Sequence, residues 1–295
     1  MPEGRAVVHV CAMNATPSLT AAKRGREPSG VRAGSTFGTP GDINLLGLWM
    51  LYWREVRRFL KVPAQTCVAP VVTTLMFLAI FTLALGGGER RVEGLPFLVF
   101  LAPGLAMMAV IQNSFANTIS SLVIAKVQGN IVDLLMPPLG PGELVTGLTL
   151  GGVTRGLIVG VSVGLAVMFF VTLPMPHPFL AIAFLLLSSG VLALLGLIGG
   201  LWAEKFDQTA TVTNFVVTPL SFLSGTFYSV EQLPEAARWI AHANPIFYMI
   251  DGFRFACIGH ADGSVLLGFM LLLALNAMLA RLAYVLVKRG YRLKS

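Results

Sequence analysis

A chain of 295 residues with 55% hydrophobic and 12% charged residues cannot clothe a soluble surface, because ordinary soluble domains carry about 25% charged residues. That excludes a soluble enzyme, a disordered scaffold and a disulfide-rich secreted domain, and leaves an all-α polytopic membrane protein. The net charge of +7 is a matter of position: 14 of the 21 Lys and Arg lie in residues 1–61 or 281–295, so they flank an apolar block and do not form a nucleic-acid surface.

Residues 1–41 are rich in Gly, Pro, Ser, Thr and Ala and read as a disordered tail, or equally as the product of a misassigned start codon. The apolar stretch Ala6 to Met13 is too short for a signal-peptide core. Residues 42–61 form a separate unit, a cytoplasmic interface helix. On a helical wheel Leu45, Leu48, Trp49, Tyr52, Trp53, Val56, Phe59 and Leu60 fill one side, and Arg54, Arg57, Arg58 and Lys61 the other, with Glu55 at the polar edge. Asp42 is the expected N-cap. Such a helix lies in the inner interface, with aromatics at headgroup depth and cations toward anionic lipid. It serves either as an anchor or as a surface that touches a cytoplasmic partner.

Residues 62–295 form the transmembrane domain. Charge-free runs cover residues 62–88, 94–125, 156–203, 208–230 and 263–280. The 48-residue run is long enough for two helices and is divided by the prolines at 174, 176 and 178. The count is six transmembrane helices, near 65–85, 97–118, 147–171, 179–201, 209–229 and 265–287. Six spans put both termini on one side. Arg54, Arg57, Arg58 and Lys61 before the first span, and Arg281, Lys288, Arg289, Arg292 and Lys294 around and after the sixth, make that side cytoplasmic. The alternate loops agree, since Glu89, Arg90, Arg91 and Glu93 cancel and residues 231–262 carry a net charge of −2.

Few polar groups fall inside the spans. Gln112, Asn113 and Asn117 on the second span either bond between helices or line a path. Arg155, expected close to the cytoplasmic start of the third span, either snorkels to the interface or contributes to the path. No buried Asp or Glu is expected, which argues against a proton- or sodium-driven carrier. Gly152, Gly156, Gly160 and Gly164 recur at i+4 spacing along one face, with Gly196 and Gly200 on the fourth span, and read as close helix packing. Phe115, Phe169, Phe170, Phe184 and Phe222 read as lipid-facing or packed.

Catalytic signatures are missing from the sequence. There is no G-x-x-x-x-G-K-[ST] phosphate loop and no H-E-x-x-H pair, the cysteines Cys11, Cys67 and Cys257 have no metal spacing, and His177 and His242 read as solvated. No catalytic, cofactor-binding or metal-ligating residue is assigned.

Two segments between spans carry structure of their own. From Lys126 to Glu143, Ile131, Leu134 and Leu135 make a short apolar face that ends at Pro137-Pro138, with Asp133 off that face. From Ser229 to Asp262, Pro234 starts one short amphipathic helix and Asn244-Pro245 ends it before a second, so this loop holds short outer re-entrant helices between spans five and six.

The run Thr218-Pro219-Leu220-Ser221-Phe222-Leu223-Ser224-Gly225-Thr226-Phe227-Tyr228 leads to Leu233-Pro234 and then to Ala243-Asn244-Pro245-Ile246-Phe247-Tyr248-Met249-Ile250-Asp251-Gly252-Phe253-Arg254. This resembles the signature of ABC-2 type transporter permeases, as does Glu143-Leu144-Val145-Thr146-Gly147 after Pro137-Pro138, and the likeness covers residues 43–295. The resemblance implies an exporter half in the bacterial inner membrane, driven by ATP and Mg held on a separate cytoplasmic ABC ATPase subunit. It implies an interface helix at 43–61, a coupling helix near 126–136 and outer re-entrant helices near 232–256. It implies a homodimer, because one chain supplies one six-span half. Gln128, Asn130, Ile131 and Asp133, with Glu55 and Arg58, are the expected ATPase contacts. An ATP-independent secondary carrier or channel is the alternative, and a membrane anchor or assembly protein without transport is a third possibility.

Overall fold

The computed structural model describes residues 44–84, 91–92, 94–131 and 139–292. The expected tail, Asp42, Glu89, Arg90, Glu93, Asp133, Pro137, Pro138 and Lys294 lie outside the described residues.

Helix α1 (Leu45–Leu60) is capped by Asn44, whose side chain accepts from the Gly47 N–H at 2.9 Å. A π-turn, Ala64–Val68, opens α2 (Ala69–Ala84). Two short antiparallel strands, Arg91–Val92 and Leu95–Pro96, then lead into α3 (Phe97–Val127). Helices α4 (Pro141–Met168) and α5 (Pro178–Trp202) follow. Next comes one helical stretch in three pieces: α6 (Phe206–Val212), a π-turn (Thr213–Val217) and α7 (Thr218–Leu223). A 3₁₀ turn (Val230–Gln232), α8 (Glu235–Ala243), α9 (Pro245–Ile258) and α10 (Val265–Lys288) complete the chain.

Five helices are long and apolar enough to cross a membrane: Ala64–Ala84, α3, α4, α5 and α10. The stretch from Phe206 to Leu223 sits where a sixth was expected. It ends six residues sooner than the sequence suggested, and Asp207, Gln208 and Asn214 dilute its hydropathy.

Two boundaries moved by physics that charge-counting missed. Helix α3 continues past Lys126, because the Lys126 ammonium donates to the Leu201 and Ala203 carbonyls at 2.6 and 3.1 Å and so caps the end of α5. The expected coupling helix therefore begins as the last turn of α3, turns at Gln128 to Asn130, and leaves the described residues after Ile131. Helix α4 begins at Pro141, six residues before the expected start. Proline suits the first helical position, and the Glu143 carboxylate reaches back to the Gly140 N–H at 2.6 Å.

Helix α3 is the axis of the fold. In its most apolar stretch 78% of residues are buried, against 11% for Ala64–Ala84 and 17% for α10. Its neighbours α4 and α5 approach closely because their contact residues are small. A Cβ on Gly152 would lie 2.4 Å from Thr118 Oγ1, one on Gly156 2.1 Å from Ser114 Oγ, and one on Gly196 2.5 Å from the Phe115 carbonyl. In lipid, apolar burial gives helices little reason to associate, so this backbone proximity supplies the packing energy. Gly160 belongs to the same seam, but a Cβ on Gly164 would meet nothing within 4 Å, so the expected ladder stops one turn early. Phe115 and Phe184 are packed in this core, whereas Phe169, Phe170 and Phe222 are exposed.

Candidate functional site

Helix α1 does not lie free on a surface. The Asn44 N–H donates to Glu143, Leu51 sits on Gly147, Glu55 sits on Gly151, and the Tyr52 hydroxyl meets Thr154 Oγ1 at 3.1 Å. From Asn44–Glu143 through Leu51–Gly147 to Glu55–Gly151 the pairs rise together in number, so α1 runs along the first half of α4 in the same direction. Gly147 and Gly151, which no spacing argument singled out, form its seat. The buried face of α1 is Leu51, Glu55, Val56 and Phe59, while Trp49 and Trp53 are exposed. The wheel therefore placed the aromatic side too far inward and Glu55 too far outward.

Glu55 is 1% exposed. Its Oε1 accepts from Ser121 Oγ at 2.9 Å and from Arg54 Nη2 at 3.0 Å, and Oε2 lies 3.1 Å from Arg58 Nη2. Arg58 continues inward, donating to the Asn117 carbonyl at 2.7 Å, to Asn117 Oδ1 at 3.0 Å and to Ser120 Oγ at 3.2 Å. A carboxylate taken from water needs this pairing, or it costs several kcal/mol. Two acids are buried, Glu55 on α1 and Asp251 on α9, and both lie outside the five long helices.

One turn along α3, Arg155 Nη2 donates to Asn113 Oδ1 at 3.1 Å. Because α4 starts early, Arg155 stands midway along it, not close to its start. Asn113, Asn117 and Ser121 recur at i+4 spacing, so α3 presents one polar stripe to α1 and α4. Gln112 is half-buried off that stripe.

Beside the stripe, α1 and the end of α3 enclose a groove of about 860 Å³, lined by Trp53, Arg54, Arg57, Lys61, Gln128 and Asn130 among others. Gln128 and Asn130 are exposed there, but Ile131 is buried, so its side chain offers no docking surface. Glu55 likewise points into the fold instead of outward to a partner.

The signature residues meet at the other end of α3. Gly225 adopts φ +74°, a conformation that favours glycine, and turns the chain so that the Thr226 carbonyl approaches Gly104, where a Cβ would lie 2.6 Å away. Arg254, 1% exposed, donates to the Gly225 carbonyl at 2.6 Å, and its guanidinium lies 3.9 Å from the centre of the Phe100 ring. Burial lowers its pKa below the ordinary arginine value, against the pull of Asp262 and Asp251. Burial raises the Asp251 carboxyl above its ordinary value, and the Asp262 and Gly263 N–H groups oppose that by donating to it at 2.7 and 3.0 Å. Asp262 accepts in turn from the Val230 N–H at 2.8 Å and pairs with His260 at 3.0 Å.

Asn244 caps α9 by accepting from the Ile246 N–H at 3.1 Å, and it donates to the Leu220 carbonyl at 2.9 Å and to Ser224 Oγ at 2.7 Å. Pro245 supplies the first residue of α9, Pro234 precedes α8, and Pro219 sits exposed in the first turn of α7. Gly252 lets α9 lie flat on the Phe184 ring, 2.1 Å from where a Cβ would stand. Helix α8 is amphipathic as expected, with Trp239 and Ile240 exposed, but α9 is buried nearly all round. Its Cys257 thiol is pushed up to about 12 by burial, so it is inert at neutral pH. His177 is exposed as expected, but it stacks on Phe255 at 5.5 Å, and His242 is half-buried against Phe247 at 4.8 Å.

A family model described as ABC-2 type transporter matches residues 47–258, from the interface helix to the end of α9. The chain belongs to the ABC-2 type transporter family. It is 37% identical over 254 residues to the inner membrane transport permease YadH of Escherichia coli strain K12, covering 83% of this chain and 99% of that protein. It is 26% identical over 224 residues to nodulation protein J of Sinorhizobium fredii, covering 74% of this chain and 84% of that protein. A nodulation protein J from Rhizobium leguminosarum bv. viciae is also 26% identical, over 238 residues. This ABC-2 chain is therefore a membrane subunit of a transporter, and Glu55, Arg58, Asp251 and Arg254 all fall inside the matched region.

Proposed function

We propose that this chain is the permease subunit of an ATP-driven exporter of the inner membrane, with six spans and both termini in the cytoplasm. Two copies make the pore, each with its own ABC ATPase beneath it. The observation that carries this reading is the groove between α1 and the end of α3, because it joins the two parts that an ATPase would have to move together. Its cationic lip and the exposed Gln128 and Asn130 suit an acidic partner surface. Asp133, two residues beyond Ile131 in sequence, is assigned to the same contact. Glu55 and Arg58 act from inside, holding α1 to the polar stripe so that a push on α1 reaches α3 and α4. The broken stretch from Phe206 to Leu223 is the fifth span, and the thinly buried Ala64–Ala84 faces lipid or the second copy. Helices α8 and α9 line the outer mouth as re-entrant elements, and ATP and Mg stay on the partner.

The test is co-purification. The tagged chain, expressed with the ATPase encoded beside it, is expected to recover that ATPase and to stimulate nucleotide hydrolysis in liposomes. An Asp133→Lys chain should recover at least tenfold less. Full recovery by that variant would sink the docking assignment. A stable chain that transports with no ATPase and no nucleotide would sink the permease reading and favour a carrier or channel.

A further inference from the structure

A strap fastens the outer end of α4 to the end of α9. Between α4 and α5 the chain runs Leu173-Pro174-Met175-Pro176-His177-Pro178. Proline carries no N–H, so the only main-chain donors from Pro174 to Pro178 are those of Met175 and His177. Both go to α9: Met175 donates to the Cys257 carbonyl at 2.8 Å and His177 to the Ala256 carbonyl at 3.2 Å. The Phe255 carbonyl accepts from the Gly259 N–H at 2.8 Å, so of three consecutive carbonyls in the last turn of α9 two are satisfied by the strap. The His177 ring stacks on Phe255, and Pro176 comes within 3.8 Å of where a Cβ on Gly259 would stand.

The strap is held in place under strain. Met175 has φ +45°, which crowds a residue with a Cβ, and the proline that follows disfavours helical backbone there as well. Beneath it lies an apolar cavity of about 240 Å³, roofed by Leu173 and Met175 and walled by Pro103, Ala106, Gly164 and Cys257. The glycine seam ends before Gly164, and this leaves the room. Protein interiors are ordinarily filled to crystal density, so a strained strap over a void has both a reason to lift and space in which its side chains can turn. We propose that residues 173–178 are a latch of the outer mouth, which holds the last turn of α9 while closed and, on lifting, gives water a way to that turn and to the cavity. Water must follow, because lifting leaves two carbonyls without donors. Helix α4 carries the latch at its outer end and the seat of α1, Gly147 and Gly151, near its inner end, so the helix that receives a push on α1 also ends in the latch. This deepens the permease reading, and rests on it for the view that freeing the last turn of α9 widens the outer mouth.

Cys257 reports the state of the latch. It is 2% exposed, and burial pushes its thiol up to about 12, so a closed latch keeps it unreactive. The full chain in phosphatidylcholine nanodiscs is treated with a methanethiosulfonate reagent bearing a trimethylammonium group, which does not cross lipid. Labelling is read by mass spectrometry on the Cys257 and Cys67 peptides. No ATPase or nucleotide is present, so failure here is separate from failure of co-purification. Met175→Pro removes one donor and forbids a positive φ, and should label Cys257 at least tenfold faster than the unaltered chain, with Cys67 unchanged. His177→Ala keeps its N–H but loses the stack, and should raise the rate at least twofold. An unchanged Cys257 rate in Met175→Pro, or an equal rise at Cys67, would overturn the latch. Should Met175→Pro fail to fold, His177→Ala decides by the same comparison. Hydrogen exchange in the unaltered chain separates a latch from a permanent staple. The amides of Met175 and His177 should exchange at least a hundredfold faster than those of α3 between Leu105 and Leu122. Exchange at the α3 rate would mean that the strap opens only with the whole fold, and would also overturn the proposal.

Discussion

The two buried charged clusters stand at opposite ends of α3 and are built in opposite ways. At the inner end, Glu55 is held by side chains, Ser121, Arg54 and Arg58, and both arginines keep part of their surface exposed. At the outer end, Asp251, Asp262 and Arg254 are held mainly by main-chain groups and by the face of Phe100. Side chains can exchange partners without moving a helix, whereas main-chain partners cannot. The inner cluster is suited to transmit a movement of α1. The outer cluster is suited to hold the signature turn and α9 in one shape.

The contrast can be broken most strongly at Arg254. Arg254→Ala leaves buried acids without their cation and frees the Gly225 turn, so a loss of about 3–5 kcal/mol is expected, read as a large drop in melting temperature of the purified protein. Arg254→Lys should recover only part of it, because an ammonium does not stack on Phe100 as a guanidinium does. Glu55→Gln should cost less, about 1.5–3 kcal/mol, since both arginines can turn to water. Its signature should be easier proteolysis of α1 with α9 unchanged. If α9 loosens equally, the two clusters are one cooperative unit and the contrast fails. The smallest pair of effects sharpens the packing between them. Gly156→Ala should destabilise by about 1–3 kcal/mol, because Ser114 and Ser189 must both move. Gly164→Ala, with open space around it, should stabilise by about 0.5–1 kcal/mol from helix propensity alone. Equal melting shifts for the two variants would show that the seam is not what holds α4.

Charge-free runs located the long helices well, because a span is defined by what it lacks. They located ends badly, because an end depends on partners distant in sequence. The helix expected to end near 118 runs to Val127, where Lys126 finds its acceptors in Leu201 and Ala203, some 75 residues on. Arg155 looked peripheral because the Pro141 start was not visible in charge alone. The buried Glu55 was beyond any wheel, since Ser121 and the Gly151 seat come from α3 and α4. The outer signature was legible residue by residue, but not what its residues do. Nothing in the order of letters says that Arg254 lies on Phe100.

The π-turn at Thr213–Val217 has a consequence for rotation. Such a turn holds one residue more than the α-helix it interrupts, so everything after it is swung by roughly 100° about the axis. A face read continuously from Phe206 to Leu223 is therefore two faces, offset from one another at the turn. Deleting a single residue within that turn would leave an unbroken helix of nearly the same length, yet aim Pro219 and Ser221 in a new direction, dragging Gly225 away from the arginine that clasps it.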